Sequence, residues 1–215
     1  MRKQDIKLIT SFIDNKNPKQ ELNFALVRNG AIFATDTRKA IQFNHQEVRG
    51  NALMHKKLLQ GLSTILGKDE RLFFENGYFY TDNVKFNIDT SYYVEDENGK
   101  NKIGAKADCY PDINTIVNKQ LPYHFTLENI NNLQWELTQK NCFIADIHLN
   151  PVIAYNDCSL FDIYYEPQKR GKNDFIETAT VKIVAQKSDD NGVVYTQFIA
   201  VFMGTVFESK AKEEI

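Results

Sequence analysis

Between residues 22 and 43 the alternation of apolar and polar positions predicts a small antiparallel meander. Residues 22–26 place apolar side chains at every second position, which is the periodicity of a half-buried strand. The Asn29-Gly30 pair that follows tolerates the positive φ angles of a tight hairpin turn. Residues 31–34 then predict a returning strand, and residues 40–43 predict a third strand after a Thr-Asp pair.

Residues 71–88 repeat this arrangement. A short apolar strand leads into a second Asn76-Gly77 pair, an aromatic strand leads out of it, and a Thr-Asp pair follows again. A segment with helical periodicity precedes each meander, so the sequence predicts an internal repeat of helix and hairpin. The alternative is coincidence, because Asn-Gly hairpins occur in many antiparallel proteins.

The two segments with helical periodicity are amphipathic. Residues 3–14 place three isoleucines on one face and lysines on the opposite face. Residues 52–66 repeat Met, Leu and Ile at helical spacing and carry Lys, Gln and Ser on the other side. Both patterns predict a helix that buries one face and presents a basic stripe on the other.

A change of pattern near residue 110 predicts a domain boundary. Pro111 disfavours helical geometry at Tyr110, which indicates a strand end followed by a linker that runs to Pro122. We therefore expect two domains, residues 1–118 and residues 119–215.

Beyond this boundary the pattern is mainly that of strands. Residues 133–137 alternate, which favours a strand, although a short helix over residues 128–137 also fits. Residues 147–157 predict a helix in which Pro151 is tolerated only near the first turn. The other predicted strands are residues 123–127, 160–166, 178–187 and 193–207, the last two forming a hairpin.

Composition favours a folded protein without a membrane span. The chain has 215 residues and 42% hydrophobic content, enough for one large domain or two ordinary ones. It contains no apolar run of 18 residues, and its first residues carry no long apolar stretch of the signal-peptide type. The scattered Cys109, Cys142 and Cys158 are typical of reduced thiols, so we expect a cytoplasmic protein.

The distribution of charge is more informative than the net charge of −2. Residues 1–68 hold 12 Lys and Arg against 5 Asp and Glu, a balance of +7. Residues 69–215 hold 14 against 23, a balance of −9. This asymmetry predicts a region that faces a polyanion on an otherwise acidic protein, and chance clustering on solvated faces remains the alternative.

Motifs of catalysis and of metal or cofactor binding are absent from the sequence. It contains no glycine-rich nucleotide loop, no H-E-x-x-H and no C-x-x-C. The four histidines have no convincing partner at ligand spacing. Asp36 and Asp82 each follow a strand, where Asp usually accepts hydrogen bonds from the local backbone. The sequence therefore predicts a non-enzymatic protein without metal or cofactor.

The order of these features resembles a domain of the bacterial sliding clamp, the processivity factor (beta subunit) of DNA polymerase III. Residues 35–40, TDTRKA, resemble the T-D-G-H-R-L-A-like segment of that family, and residues 110–112, YPD, resemble its F-P-D-like segment. Residues 198–203, FIAVFM, are similar in position to its last strand. The resemblance implies an α+β, DNA-clamp-like fold of antiparallel meanders with amphipathic helices packed on one face, arranged as two clamp-like domains.

The resemblance also implies a function and candidate sites. A sliding clamp encircles duplex DNA as a ring and tethers a polymerase, so double-stranded DNA, DNA polymerase, a clamp loader and further copies of the chain are the implied partners. Basic outer helix faces would contact phosphates without reading bases. The candidate DNA-binding residues are Arg2, Lys3, Lys7, Lys39, Lys56 and Lys57. The candidate partner-peptide pocket comprises Thr35, Arg38, Val201 and Met203, although ordinary hairpin packing explains the last two equally well.

A function of another class remains open. A self-assembling β-rich structural or protein-interaction module, from a phage or mobile element, would share the hairpins without binding DNA. The fold of residues 121–207 distinguishes the two hypotheses. A pair of helices packed against a meander favours the clamp, whereas a sandwich or a lone sheet favours the interaction module.

Overall fold

A computed structural model describes residues 1–14, 16–45, 48–75, 77–86, 94, 95, 100, 102, 104–167, 169, 170, 176, 177 and 179–203. The helices are α1 (Lys3–Ser11), α2 (Lys56–Ile65), α3 (Ile113–Val117), α4 (Leu133–Gln139) and α5 (Asp146–Ile153). The strands are β1 (Phe24–Arg28), β2 (Ala31–Thr35), β3 (Lys39–Asn44), β4 (Ala52–His55), β5 (Phe73–Glu75), β6 (Tyr78–Tyr80), β7 (Lys85–Phe86), β8 (Tyr123–Leu127), β9 (Leu160–Glu166), β10 (Lys169–Arg170), β11 (Ile176–Glu177), β12 (Thr180–Ser188) and β13 (Val194–Met203).

Eight of these strands form one antiparallel sheet in the order β4-β1-β2-β3-β13-β12-β9-β8. The halves of the chain meet where β3 pairs with β13, with Ala40 opposite Val201 and Phe43 opposite Phe198. Strands β5, β6 and β7 form a separate three-stranded sheet. The chain is thus α+β, with antiparallel meanders as the sequence predicts.

Alternation along the strands divides the core between the two faces of the large sheet. In β1, Ala25 and Val27 pack with the residues of α1, α2, α4 and α5, which we call the helix side. Phe24 and Leu26 pack instead with Tyr110 and other residues of the segment 105–117, which we call the outer side. The same two-residue period continues in β13, so both halves contribute to both cores.

The N-terminal half confirms the first meander and modifies the second helix. β1, β2 and β3 are the predicted strands, joined at Asn29 and Gly30, whose φ angles are 52° and 74°. The helix predicted from residue 52 begins only at Lys56. Residues Ala52–His55 instead form β4, because three of the four side chains are buried and the strand pairs with β1.

The second meander belongs to the separate sheet. β5 and β6 form the predicted hairpin, and Gly77 in its turn has a φ of 80°. Asn76, and the last two residues of the predicted meander, 87 and 88, lie outside the described residues. α1 and α2 pack against each other on the helix side, as an internal repeat requires.

The C-terminal half contains the pair of helices that the sequence left open. The strand favoured over residues 133–137 is wrong, because α4 occupies that segment and buries Leu133 and Leu137. α5 confirms the predicted helix, but it ends at Ile153 and not at residue 157, and it holds Pro151 beyond its first turn, where the sequence did not predict proline to be tolerated. Both helices pack with β9, β12 and β13 in the helix-side core.

The predicted linker contains a helix. After a short 3-10 turn at Ala107–Cys109, Tyr110 is extended as expected before proline, and Asp112 caps α3 by accepting a hydrogen bond from the Asn114 amide at 3.1 Å. α3 lies against β2, β3 and β13 on the outer side. The division into domains 1–118 and 119–215 stays a prediction.

The helices of the described part of the chain are short. None of them combines the length and the apolar character needed to cross a lipid bilayer.

Candidate nucleic-acid interface and partner pocket

The helix side of the N-terminal half carries most of the candidate DNA-binding residues. α1 buries Ile6 and Ile9 against the sheet, and α2 buries Leu59 and Leu62 beside them. The Nδ1 of His55 accepts a hydrogen bond from the Lys57 amide at 3.1 Å and so caps α2. The 3.6-residue period then directs the lysines of both helices away from the core.

Two of these lysines are exposed, and two others are engaged with backbone carbonyls. Lys7 on α1 and Lys57 on α2 are exposed. The Nζ of Lys56 donates to the Ile13 carbonyl at 2.5 Å, and that of Lys3 donates to the Leu66 carbonyl at 3.5 Å. Burial lowers the pKa of Lys56 from its usual value.

Arg2 is committed to a contact inside the protein. Its guanidinium forms an ion pair with Asp157, on the segment that follows α5, and Lys187 donates to the same carboxylate at 2.7 Å. The carboxylate of the buried Asp5 accepts a hydrogen bond from the hydroxyl of Tyr155 at 2.9 Å. These bonds join the start of α1 to the C-terminal half, and they engage the Arg2 guanidinium within the protein.

Lys39 does not have the exposed position that was expected of it. Its side chain is buried, with the residue only 7% exposed, and its Nζ lies 3.8 Å from Asp36 and 5.2 Å from the ring centroid of Phe12. Burial lowers the pKa of Lys39, and the neighbouring Asp36 partly opposes that shift. Successive side chains of β3 point to opposite faces of the sheet. Lys39 lies on the helix-side face, where its side chain is covered by Phe12.

The helix side of the C-terminal half differs in character. Trp135 on α4 and Ile147 on α5 are 63% and 74% exposed, and both lie opposite the buried faces of their helices. Lys140 is paired with Glu136 at 2.6 Å. This surface therefore exposes large apolar side chains and has no excess of basic ones. Sequence reasoning missed it because α4 had been interpreted chiefly as a strand.

The residues of the candidate partner pocket meet at one corner of the large sheet. The amide of Met203 donates to the Arg38 carbonyl at 2.9 Å, which joins the end of β13 to the turn between β2 and β3. Thr35 and Val201 are buried, whereas Arg38 is exposed and Met203 is 47% exposed. The four residues are thus neighbours, with two of them accessible and two in the core.

Asp36 organises the turn at this corner. Its Oδ1 accepts hydrogen bonds from the amides of Arg38 and Lys39, both at 3.0 Å. The Oγ1 of Thr35 donates to the Lys39 carbonyl at 2.8 Å. In the second meander Thr81 has the corresponding role, since its Oγ1 accepts from the Val84 amide at 3.2 Å. The hydrogen bonding to the local backbone that was expected of Asp36 is therefore confirmed, whereas in the second meander the accepting side chain is Thr81 and not the expected Asp82.

The segment 105–117 covers the adjoining outer face of the sheet. The hydroxyl of Tyr110 lies 3.0 Å from the Phe24 carbonyl and 3.2 Å from the Phe33 carbonyl, and burial raises the pKa of Tyr110 well above its usual range. A groove of about 500 Å³ remains between this segment and β1–β3. An ion pair of Arg28 and Asp108, at 3.4 Å, lies at its wall.

The described residues offer no cluster of three or more His, Cys, Asp or Glu side chains that could hold a metal ion. Burial raises the pKa of the Cys142 thiol to about 11 and that of Cys158 to about 12, so both stay protonated near neutral pH.

Comparison with solved structures assigns the fold. The Helicobacter pylori beta clamp in complex with 3,4-difluorobenzamide is similar over 95% of this chain and 64% of that one, with a TM-score of 0.56 and 10% identity. The fold is clamp-like. This chain spans less than two thirds of the length of that clamp.

Two further structures are similar at lower scores. The H. pylori beta clamp bound to a DNA ligase peptide gives a TM-score of 0.45, 11% identity, and coverage of 95% and 63%. The DNA polymerase III subunit beta from Pseudomonas aeruginosa gives 0.39, 10%, and coverage of 95% and 51%. No protein-family model matches the sequence, and no curated protein matches it.

Proposed function

We propose that this protein is a non-enzymatic, clamp-like processivity factor that encloses duplex DNA on its helix side. The observation that supports this most strongly is the shared face of α1, α2, α4 and α5, all of which pack on one side of a sheet continuous between both halves. The described residues between 121 and 203 contribute a helix pair against a meander, the arrangement that favours a clamp over an interaction module.

Charge on α1 and α2 supports contact with phosphates. Lys7 and Lys57 are exposed on neighbouring helices, with Lys3 and Lys56 beside them. A few spread cations would hold the duplex weakly and without a preferred register, which suits sliding. We keep these four residues as the proposed contacts, place Arg2 behind them in its ion pair with Asp157, and omit Lys39 because it is buried.

Partner binding belongs to the same proposal. The accessible Arg38 and Met203, above the buried Thr35 and Val201, would receive a short peptide from a DNA polymerase or a clamp loader. One chain is too small to surround a duplex, so the working form would be a cyclic oligomer in the cytoplasm.

A second candidate function is that of a self-assembling interaction module. The observation that favours it is the exposure of Trp135 and Ile147 on the C-terminal helices, where the charged Glu136, Lys140 and Asp146 give no positive balance. Such a surface suits a protein partner better than a phosphate backbone.

The DNA interface can be tested with a charge-reversal pair and a matched control. Lys7→Glu with Lys57→Glu should weaken binding to a short duplex at low salt by about ten-fold or more, because two phosphate contacts are lost and replaced by repulsion. The slope of log affinity against log salt concentration should become shallower by about 0.9 for each lost contact. Both side chains are exposed, so the free energy of unfolding should change by no more than about 0.5 kcal/mol.

The control is Lys100→Glu with Lys106→Glu, which makes the same change of charge at exposed positions outside the helices. This control should bind DNA as the unchanged protein does, or nearly so. Equal loss of binding in both double variants would show that net charge, and not the helix side, governs the association.

A further inference from the structure

The hairpin of β12 and β13 extends past the strands on either side of it. β12 pairs with β9 only at residues 180–186, and β13 pairs with β3 only at residues 198–202. Beyond these limits the two arms pair with each other, up to Ser188 opposite Val194. We call residues 187–195 the hairpin tip.

Hydrogen bonds fix the turn of the hairpin tip. The Oδ1 of Asp189 accepts from the amides of Asn191 and Val193, at 2.9 and 2.8 Å. The Asp189 amide donates to the Val193 carbonyl at 3.0 Å, and Gly192 has a φ of 78°, which glycine adopts without a steric penalty. The tip is therefore preformed, and a partner would bind it without first having to order it.

Three consecutive apolar side chains are exposed on this fixed turn. Val193, Val194 and Tyr195 are 59%, 55% and 41% exposed. Within the described part of the chain, no other run of three large apolar residues is exposed in this way. Neighbouring strand residues point to opposite faces, so Val194 and Tyr195 present apolar surface on both sides of the tip. Such a run is unfavourable in water and is typical of a contact site.

The charges around the tip are mainly negative. Asp189 and Asp190 are exposed in the turn, and the exposed Glu128 follows β8 at the same end of the sheet. The ammonium of Lys187 is engaged with Asp157 at 2.7 Å. These carboxylates repel the phosphates of nucleic acids and of anionic lipids, and they attract cationic side chains.

We propose that the hairpin tip is a docking site for a protein partner that presents an apolar cleft bordered by Lys or Arg side chains. Val194 and Tyr195 fill the cleft, and Asp190 faces its basic border. Tyrosine is among the residues that most often anchor protein interfaces. The tip is small, so the interface is of the transient class, with less than about 1,200 Å² buried in total.

The hairpin tip is separate from the candidate partner pocket. It lies at the beginning of β13, whereas the corner of Arg38 and Met203 lies at the end of that strand. Ten residues in a strand with a rise of about 3.3 Å each separate the two sites by about 30 Å. A partner at the tip therefore leaves the corner accessible. The inference goes beyond the proposed function and does not rest on DNA binding.

Site-specific cross-linking of the full chain tests the contact. The photoreactive residue p-benzoylphenylalanine in place of Val194 should form adducts with another protein on irradiation in an extract of the cells that make the protein naturally. The matched control carries the same residue in place of Val84, which is 52% exposed. Adducts at position 194 that do not exceed those at position 84 would overturn the proposal, and so would adducts formed only with a second copy of this chain.

The captured protein, once purified, is the probe that tests the apolar part of the contact. Val194→Ser should raise its dissociation constant by at least about ten-fold, because the anchor in the cleft is lost. Val84→Ser, the matched control, should leave the dissociation constant unchanged. Equal dissociation constants for Val194→Ser and the unchanged protein would overturn the proposal.

Charge reversal with the same purified probe tests the basic border. Asp190→Lys should weaken binding by about three-fold or more at low salt, and this loss should shrink as salt is added, because salt screens exposed charges. Asp69→Lys makes the same change at another exposed aspartate and should have no effect. Binding that is unchanged or tightened by Asp190→Lys would contradict a basic partner.

Discussion

Thr37 holds an unfavourable backbone conformation in the turn between β2 and β3. Its φ is 76°, in the left-handed region that β-branched residues rarely occupy and that costs an L-residue about 1–2 kcal/mol. Asp36 accepts hydrogen bonds from the amides of Arg38 and Lys39, and these bonds fix the turn around Thr37. The backbone strain is therefore confined to Thr37, and the hydrogen bonds of the surrounding turn keep it in this conformation.

Thr37→Gly should stabilise the protein by roughly 1 kcal/mol. Glycine adopts this φ without a steric penalty, and the gain is reduced by the larger entropy of the unfolded chain. Urea unfolding measures the change. Thr37→Val keeps the branched Cβ and should bring no gain. If Thr37→Gly leaves the free energy of unfolding equal or lower, the strain at this position is not real.

His45 should make stability dependent on pH. Burial, then repulsion from the terminal ammonium and Arg2, lowers the pKa of His45 to about 3, although Asp5 lies 3.9 Å from its Nε2. The unfolded chain protonates this residue near pH 6.5 and the folded chain does not. Stability is therefore complete above pH 6.5 and falls below it, by up to about 1.4 kcal/mol per pH unit between about pH 6 and 4.

Urea unfolding at pH 7 and pH 5 measures this dependence. His45→Gln should flatten it, since the variant no longer takes up that proton on unfolding. His124→Gln, at an exposed position on β8, should retain the slope of the unchanged protein. Parallel slopes for His45→Gln and the unchanged protein would contradict the assignment.

At the scale of residues, turn chemistry could be predicted and burial could not. The roles of Asn29, Gly30 and Asp36 follow from a few neighbouring positions in the chain. The burial of Lys39 depends on Phe12 and on a strand from the other half of the molecule, which local patterns do not specify.

At the scale of elements, Tyr110 fastens the segment 105–117 to the sheet. Tyr110→Phe removes the hydroxyl that meets the carbonyls of Phe24 and Phe33 and should cost about 1 kcal/mol in the free energy of unfolding. Tyr78→Phe, at an exposed residue, should cost almost nothing. A loss below about 0.3 kcal/mol for Tyr110→Phe would mean that apolar packing alone holds the segment.

Elements with an unambiguous period were predicted well, and short ones were not. β8 and β9 have the predicted bounds because their alternation is bordered by clear breaks. α4 has only seven residues, too few to separate a helix from a strand by period. β4 was merged with α2 because a strand buried on both faces lacks alternation.

At the scale of the whole molecule, the junction of β3 and β13 makes one sheet and one helix layer from the two halves. Phe43 and Phe198 stack across this junction with ring centroids 6.3 Å apart, and the Arg2–Asp157 ion pair joins the same halves in the helix layer. The clamp-like order of motifs was apparent in the sequence. The continuous sheet was not, because strand pairing between distant segments leaves no local pattern.

Enclosure of DNA is the central claim for the whole molecule. An enclosed protein leaves DNA only through free ends, whereas direct binding to phosphates does not depend on whether the DNA has ends. Retention can be measured by gel filtration of the protein with a circular plasmid and with the same plasmid after linearisation. The charges per unit length of the two DNAs are identical, so simple electrostatic binding gives equal retention. Linear plasmid with both ends blocked by bulky bound proteins provides the matched control.

The proposed function predicts that the protein stays with circular plasmid, is lost from linear plasmid through its ends, and is retained again when those ends are blocked. Moderate salt should weaken direct phosphate contacts but leave the enclosed protein in place. Equal retention on circular and linear DNA, with equal loss in salt, would contradict enclosure and favour the interaction module.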